Sequence, residues 1–335
     1  MKPTLADLKK ITEILLADEL NYMAVRDACK QLLAFFFHIT DFDETADVNN
    51  EHMQSVAGQA VSPQSAAVCI RDFMRTRVFM RGLKEAISNR LQADPEKAVT
   101  VLYAGTGPFA TLLLPLVTVF EATQLQMLLL DINPASIAYL NRIIAYFKLE
   151  PYVLQVVQTD AVTYNIPSEL QPGIILSETM MPSLKKEPQV SIVANLVSQC
   201  PGATVIPELI EISAVLYNSR IFDEKRYIRL DTIFTFTKES ALQMATTQQT
   251  GAVVFPVTRL KIEKPAEPHY SRLALLTYIG VFGKHCLALN DSSLTLPEFV
   301  YNLKTITTWP AVFNLWYRIF PVPGFSIAAD ADNND

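Results

Sequence analysis

Apolar residues recur every three or four positions over residues 5–17 and again over 23–37, which predicts two amphipathic helices. Residues 41–54 break that rhythm with acids and asparagines and read as a loop. Helical spacing resumes over roughly 63–91 and then gives way to a different period. Residues 98–104, 125–132, 152–159 and 173–177 are short runs rich in apolar and β-branched residues. Segments of helical character, 111–120, 136–149 and 189–199, lie between or after them. Strands alternating with helices predict a parallel, doubly wound sheet covered on both faces. After Pro201 and Gly202 the pattern changes once more. Residues 204–217, 227–237, 252–262 and 271–289 read as strands separated by turns and prolines, with little helix, as in an antiparallel sheet or barrel. The tail from Ala328 reads as frayed.

The expected fold is thus α/β, a Rossmann-like doubly wound sheet preceded by a helical region and followed by a β-rich, barrel-like domain. Its segments are a helical extension (1–62), the Rossmann-like domain (63–202) and the β-rich domain (203–335). Composition narrows the class. Of 335 residues half are apolar and only 19% are charged, which disfavours disorder. The longest apolar runs fall well short of the roughly 20 residues that span a bilayer, so no membrane partner is expected. The first residues mix charge with polar groups and lack a secretory core. The cysteines (29, 69, 200 and 286) have no CxxC spacing, which argues against zinc and against a disulfide framework and suggests a reduced, cytoplasmic setting. A net charge of −6 without a basic stripe makes nucleic acid a poor partner.

Candidate chemistry sits at the strand ends. Tyr103, Gly105, Thr106 and Gly107 follow the first strand, where glycine permits a tight turn and close approach to a ligand. An ordinary strand-to-helix turn would look the same. The second strand ends in Asp131 and Ile132, and an acid there can accept both hydroxyls of an adenosine ribose. It can equally cap the helix that Asn133 and Pro134 introduce. Asp160 and Ala161 close the third strand, suited to an adenine amino group or simply to a turn. With these features the sequence resembles the class I S-adenosylmethionine-dependent methyltransferases. The resemblance implies S-adenosyl-L-methionine as cofactor, held by Gly105, Gly107, Asp131 and Asp160. Tyr103 stands where such enzymes usually carry an acid. A nicotinamide site would want a third glycine near Ala110, which is absent.

Beyond the fourth strand come Glu178 and Glu187, then a helix and a further strand. Their placement and spacing resemble the paired glutamates of the protein arginine methyltransferases. That likeness extends over about residues 65–320. By resemblance Arg75 would grip the cofactor carboxylate, and Thr307, Thr308 and Trp309 would form a Thr-His-Trp loop with threonine in place of histidine. Two departures are a missing Tyr-x-x-Tyr helix and the extra residues 1–62. The pairing has a chemical rationale: a guanidinium stays protonated and is a poor nucleophile. Two carboxylates can fix it through charge-assisted hydrogen bonds, align one nitrogen for displacement and draw charge from it. Glu187 in a Lys-Lys-Glu-Pro run also fits a solvated charge cluster, and Arg75 an exposed helical arginine. The expected enzyme is therefore an N-methyltransferase with Glu178 and Glu187 as catalytic residues and no metal. Its expected acceptor is a guanidino group, on free arginine or an arginine-derived small molecule, or on a peptide. A methyltransferase for another metabolite and a silent, regulatory fold are the rivals. Residues 1–62 are expected to cover the acceptor pocket, with Arg220, Lys225 or Arg226 meeting a substrate carboxylate. The reading leaves room for a homodimer.

Overall fold

A computed structural model describes residues 2–218, 220, 226–248 and 255–329. The chain opens with α1 (Leu5–Leu16), whose Thr4 and Asp7 close a reciprocal capping box, and α2 (Tyr22–Thr40), capped by Asn21. A one-turn α3 (Asp47–Asn50) falls within the stretch that reads in sequence as loop, and a small hairpin, β1 (Met53–Ser55) and β2 (Gly58–Ala60), begins at its end. The expected helical region over 63–91 is two helices, α4 (Pro63–Val68) and α5 (Phe73–Ala93), parted by a 3-10 turn and by Asp72, the N-cap of α5.

The Rossmann-like sheet follows. Its strands are β3 (Val99–Ala104), β4 (Leu125–Asp131), β5 (Val153–Gln158), β6 (Ile174–Ser177) and β7 (Thr204–Ile206), with α6 (Pro134–Phe147) and α7 (Gln189–Gln199) among them. All neighbours are parallel in the order β5-β4-β3-β6-β7. Strands β3, β4 and β6 are buried almost throughout, as a sheet covered on both faces requires. The chain winds from β3 outward to β5 and then returns to place β6 on the other side of β3. That reversal opens a crevice at the carboxyl ends of β3 and β6, where ligands bind in such sheets.

The second sheet is antiparallel. It comprises β8 (Leu209–Tyr217), β9 (Tyr227–Thr237), β11 (Arg272–Phe282) and β12 (His285–Leu287) in the order β12-β11-β8-β9, with β13 (Glu298–Asn302) also paired to β11. Strands β10 (Thr258–Ile262), β14 (Ala311–Arg318) and β15 (Gly324–Ala329) form a third sheet.

Three expectations are corrected. The helix over 111–120 is absent: the segment turns tightly, with Ala110 at φ +45°, and becomes a 3-10 turn at Leu114–Thr118. Pro115 lacks the N–H that an α-helix would use there and crowds the preceding turn. Its leucines nonetheless plug the core: Leu113, Leu114 and Leu116 are wholly buried. The strand expected over 204–217 is two strands in different sheets, split at Pro207, so the parallel sheet runs past Gly202. A helix, α8 (Lys238–Gln248), lies against α7 within the region expected to hold little helix.

The N-terminal helices support the site from behind. α1 packs against α2, α5 and the 3-10 turn at 114–118, and α2 against α5 and α6. Phe36 and Phe42 meet Phe109 with ring centroids 5.1 and 5.6 Å apart, bracing the segment just after Gly107.

Candidate active site

One cavity at the crevice between β3 and β6 gathers Arg75, Tyr103, Gly105, Thr106, Gly107, Asp131, Ile132, Asp160, Ala161, Glu178 and Glu187, the expected cofactor-binding and catalytic residues. Gly105 and Gly107 have φ of +77° and +58°, and a Cβ on Gly105 would run into the Thr179 methyl group across the crevice. The glycines are therefore required by backbone geometry, as the close approach of two chain segments demands.

Asp131 lies at the end of β4, 8% exposed. Its Oδ2 accepts the Gly107 N–H at 2.8 Å and its Oδ1 the Asn133 N–H at 2.8 Å. Asn133, not Asp131, caps α6, taking the Ala135 N–H at 2.9 Å. Asp131 is thus free of capping and ties the glycine turn to the sheet. Burial pushes its carboxyl up to about 6 against the pull of those amides. Tyr103 is buried beneath the cavity, which raises its phenol and leaves it neutral.

Glu178 and Glu187 are each 8% exposed, so the solvated-cluster alternative for Glu187 does not hold. Arg75 projects from the first turn of α5 and its Nη2 pairs with Glu178 Oε2. The arginine is therefore half-buried beside the acids rather than exposed. Glu178 Oε1 is buried without a hydrogen-bond partner. Burial lifts Glu187 to about 7, with only the charge of Arg75 acting the other way. A buried carboxylate oxygen with no donor is costly, and a cationic ligand would relieve it.

The backbone between the two glutamates is unusual. Ser183, Leu184 and Lys186 have φ of 57°, 55° and 68°, the left-handed region that residues with a side chain seldom enter. Each is held from elsewhere. The Ser183 N–H donates to Thr277 Oγ1 (2.9 Å), the Tyr317 hydroxyl donates to the Leu184 carbonyl (3.0 Å), and the Lys186 N–H donates to the Pro323 carbonyl (2.9 Å). Lys185 pairs with Glu298. These residues of β11, β13, β14 and the turn before β15 were not legible in the sequence, because nothing local marks a loop-bracing residue.

Other expectations fall elsewhere. Among the described residues none after Ile192 lines the cavity, so the loop of Thr307, Thr308 and Trp309 does not. Arg220 is exposed and faces His269, Arg226 is likewise not among the lining residues, and Lys225 lies outside the described residues. Helices α1 and α2 do not line the pocket; among the described residues up to 62 only the hairpin segment, through Ser55, Ala60 and Val61, reaches it. Asp160 already accepts hydrogen bonds from that hairpin.

A parallel Rossmann-like domain followed by a β-rich, barrel-like one is the architecture of the protein arginine methyltransferases, and this chain has that fold. Among solved structures it is similar to a chain of the Trypanosoma brucei PRMT1 enzyme-prozyme heterotetrameric complex with AdoHcy. The TM-score is 0.54 at 12% identity, covering 79% of this chain and 92% of that one. It is also similar to PRMT6, with a TM-score of 0.49 at 9% identity, covering 75% and 96%. No family model matches the chain, and no curated protein matches it in sequence.

Proposed function

We propose that the cavity is the active site of an S-adenosylmethionine-dependent N-methyltransferase whose acceptor is a guanidino group, carried by free arginine or a small arginine-derived compound. One observation carries this: two buried glutamates, one with an unpartnered oxygen, share a cavity with a glycine turn and a buried strand-end acid. Likeness of fold alone would not carry it, since the neighbouring complex joins an enzyme to a prozyme.

The residues present fit the cofactor. Glycines without a Cβ let a ligand approach the turn closely, and we read Asp131 as the acceptor for a ribose diol, with Leu130, Ile132 and Ala161 also lining the cavity. When bound, S-adenosylmethionine supplies an electrophilic methyl group on a sulfonium sulfur. Arg75 has five guanidinium donors, so it can hold a ligand carboxylate while still paired with Glu178. Glu178 Oε1 and the Glu187 carboxylate would take the acceptor's N–H groups in a fork and fix one nitrogen for in-line attack. As methylation proceeds the two carboxylates stabilise charge moving onto the guanidinium. Glu187, set near 7 by burial, is matched to accept the proton which the attacking nitrogen releases. A small acceptor suits a cavity bordered by the hairpin and not lined by the exposed loop at Thr307 and Thr308.

The test is a competition with methyl-labelled S-adenosylmethionine, offering L-arginine, a panel of amines and an arginine-rich peptide together. Label on L-arginine or another small guanidine is the expected result. Label mainly on the peptide would overturn the small-molecule reading, and label on a non-guanidine would overturn the guanidino reading.

A further inference from the structure

The hairpin of β1 and β2 borders the cavity and is tied on two sides. At one end Asp160 Oδ2 accepts the Ser55 hydroxyl (2.8 Å) and the Val56 N–H (3.0 Å), while Oδ1 accepts the Val162 N–H (3.0 Å). Asp160 thus holds three donors from the chain, two of them from the hairpin. At the other end the Gln59 N–H donates to the Lys186 carbonyl (2.9 Å), one residue before Glu187. Gly58, at φ +131°, lies so close to that loop that a Cβ would sit 2.5 Å from the Lys186 oxygen and 2.9 Å from Pro323 Cδ. No other residue fits there, so the contact between hairpin and acceptor loop is built into the chain. Between the two ties Ala57 is 1% exposed, and Ser55 and Ala60 line the same cavity as Glu178 and Glu187.

We propose that this hairpin is a strap that sets the size of acceptor the site admits, with Asp160 as its latch rather than a reader of adenine. The proposal rests on the methyltransferase reading of the cavity. With the strap tied at Asp160 and Lys186, a compact guanidino molecule is enclosed whole, and an extended polypeptide has to displace the hairpin to reach the glutamates. Specificity here is exclusion of the larger ligand, not an added contact to the smaller one. Asp160 is accordingly a positioning residue, acting through Ser55 and Val56.

Three measurements on the full chain decide this, with Asp160→Ala and the milder Ser55→Ala. The first is hydrogen exchange without ligand. The informative amide is Gln59, whose own partner neither substitution touches; it is expected to exchange at least about tenfold faster in Asp160→Ala, with β3 amides unchanged as the check on folding. Unchanged protection at Gln59 overturns the latch. The second compares AdoHcy with S-inosylhomocysteine, in which an oxo group replaces the adenine amino group. A latch leaves the ratio of their dissociation constants within about twofold of the parent's in Asp160→Ala. Collapse of that ratio by about tenfold makes Asp160 an adenine contact and overturns the proposal. If neither nucleoside binds even the parent, the cofactor reading fails, and hydrogen exchange still decides the latch. The third is calorimetric binding of L-arginine and of an arginine-rich peptide to protein saturated with AdoHcy. Both variants are expected to shift the preference toward peptide by about tenfold, roughly 1.4 kcal/mol. An unshifted preference, or a parent that binds neither compound, overturns the sieving role.

Discussion

The parallel sheet and the antiparallel sheet contribute to one site in different ways. The parallel sheet and the segments attached to it supply every described residue that lines the cavity, up to Ile192. The described residues of the antiparallel region line none of it, yet Thr277, Glu298, Tyr317 and Pro323 grip the loop between Glu178 and Glu187. One region presents chemistry and the other imposes shape. Three left-handed, non-glycine residues in that loop show why both are needed, since such backbone persists only where its surroundings over-determine it. A site of this kind depends on residues that its ligands never touch.

Substitutions in the two regions should separate these contributions. The largest effect is expected from Glu178→Gln, which removes charge at the acceptor. Turnover should fall by about 10²-fold or more, while AdoHcy affinity stays within about threefold, read by steady-state kinetics and calorimetry. Asp131→Ala sharpens the contrast from the cofactor side. AdoHcy affinity should fall by about 10- to 100-fold, because the diol acceptor is lost and the Gly107 turn is released. Tyr317→Phe probes the other region, removing only the bond to the Leu184 carbonyl. Turnover should drop by about tenfold, the equivalent of one lost buried hydrogen bond, with AdoHcy affinity unchanged. An equal loss of cofactor affinity in Tyr317→Phe would break the division between the sheets.

The smallest effect concerns stability and pH. Glu187 is raised in the fold from 4.5 to about 7, so the folded chain binds an extra proton between those values. Its contribution favours the fold at low pH and is lost as pH rises through 7. Glu187→Gln should therefore match the parent's melting temperature near pH 4.5 and exceed it by a few degrees near pH 8, although activity is lost. A difference that does not grow with pH would mean that Glu187 is not a buried charge in the fold.

The legibility of the molecule in its sequence follows the same division. Strands β3, β4 and β6 are continuous apolar runs because both faces are buried, and their ends mark themselves with Gly105, Asp131 and Glu178. Helix α7 is legible to the residue because its amphipathic period is intact. The segment after Gly107 misleads, since its leucines have helical spacing but Pro115 and the left-handed Ala110 hold it in tight turns. Helix α8 escapes because its polar, threonine-rich sequence carries little period and its packing partner, α7, lies some 40 residues earlier. Tyr317 escapes for a different reason. It reads as one more aromatic in a strand, and its role exists only where the chain folds back to Leu184. Asp160 is legible as a strand-end acid, but its partners Ser55 and Val56 come from a stretch that reads as loop and its edge.

Calorimetric titration of AdoHcy into the unmodified chain tests the cofactor half of this picture most directly. Binding with a dissociation constant in the micromolar range, about −8 kcal/mol, is expected, and it should weaken markedly in Asp131→Ala. No heat with either AdoHcy or S-adenosylmethionine would contradict a methyltransferase site at the crevice of β3 and β6.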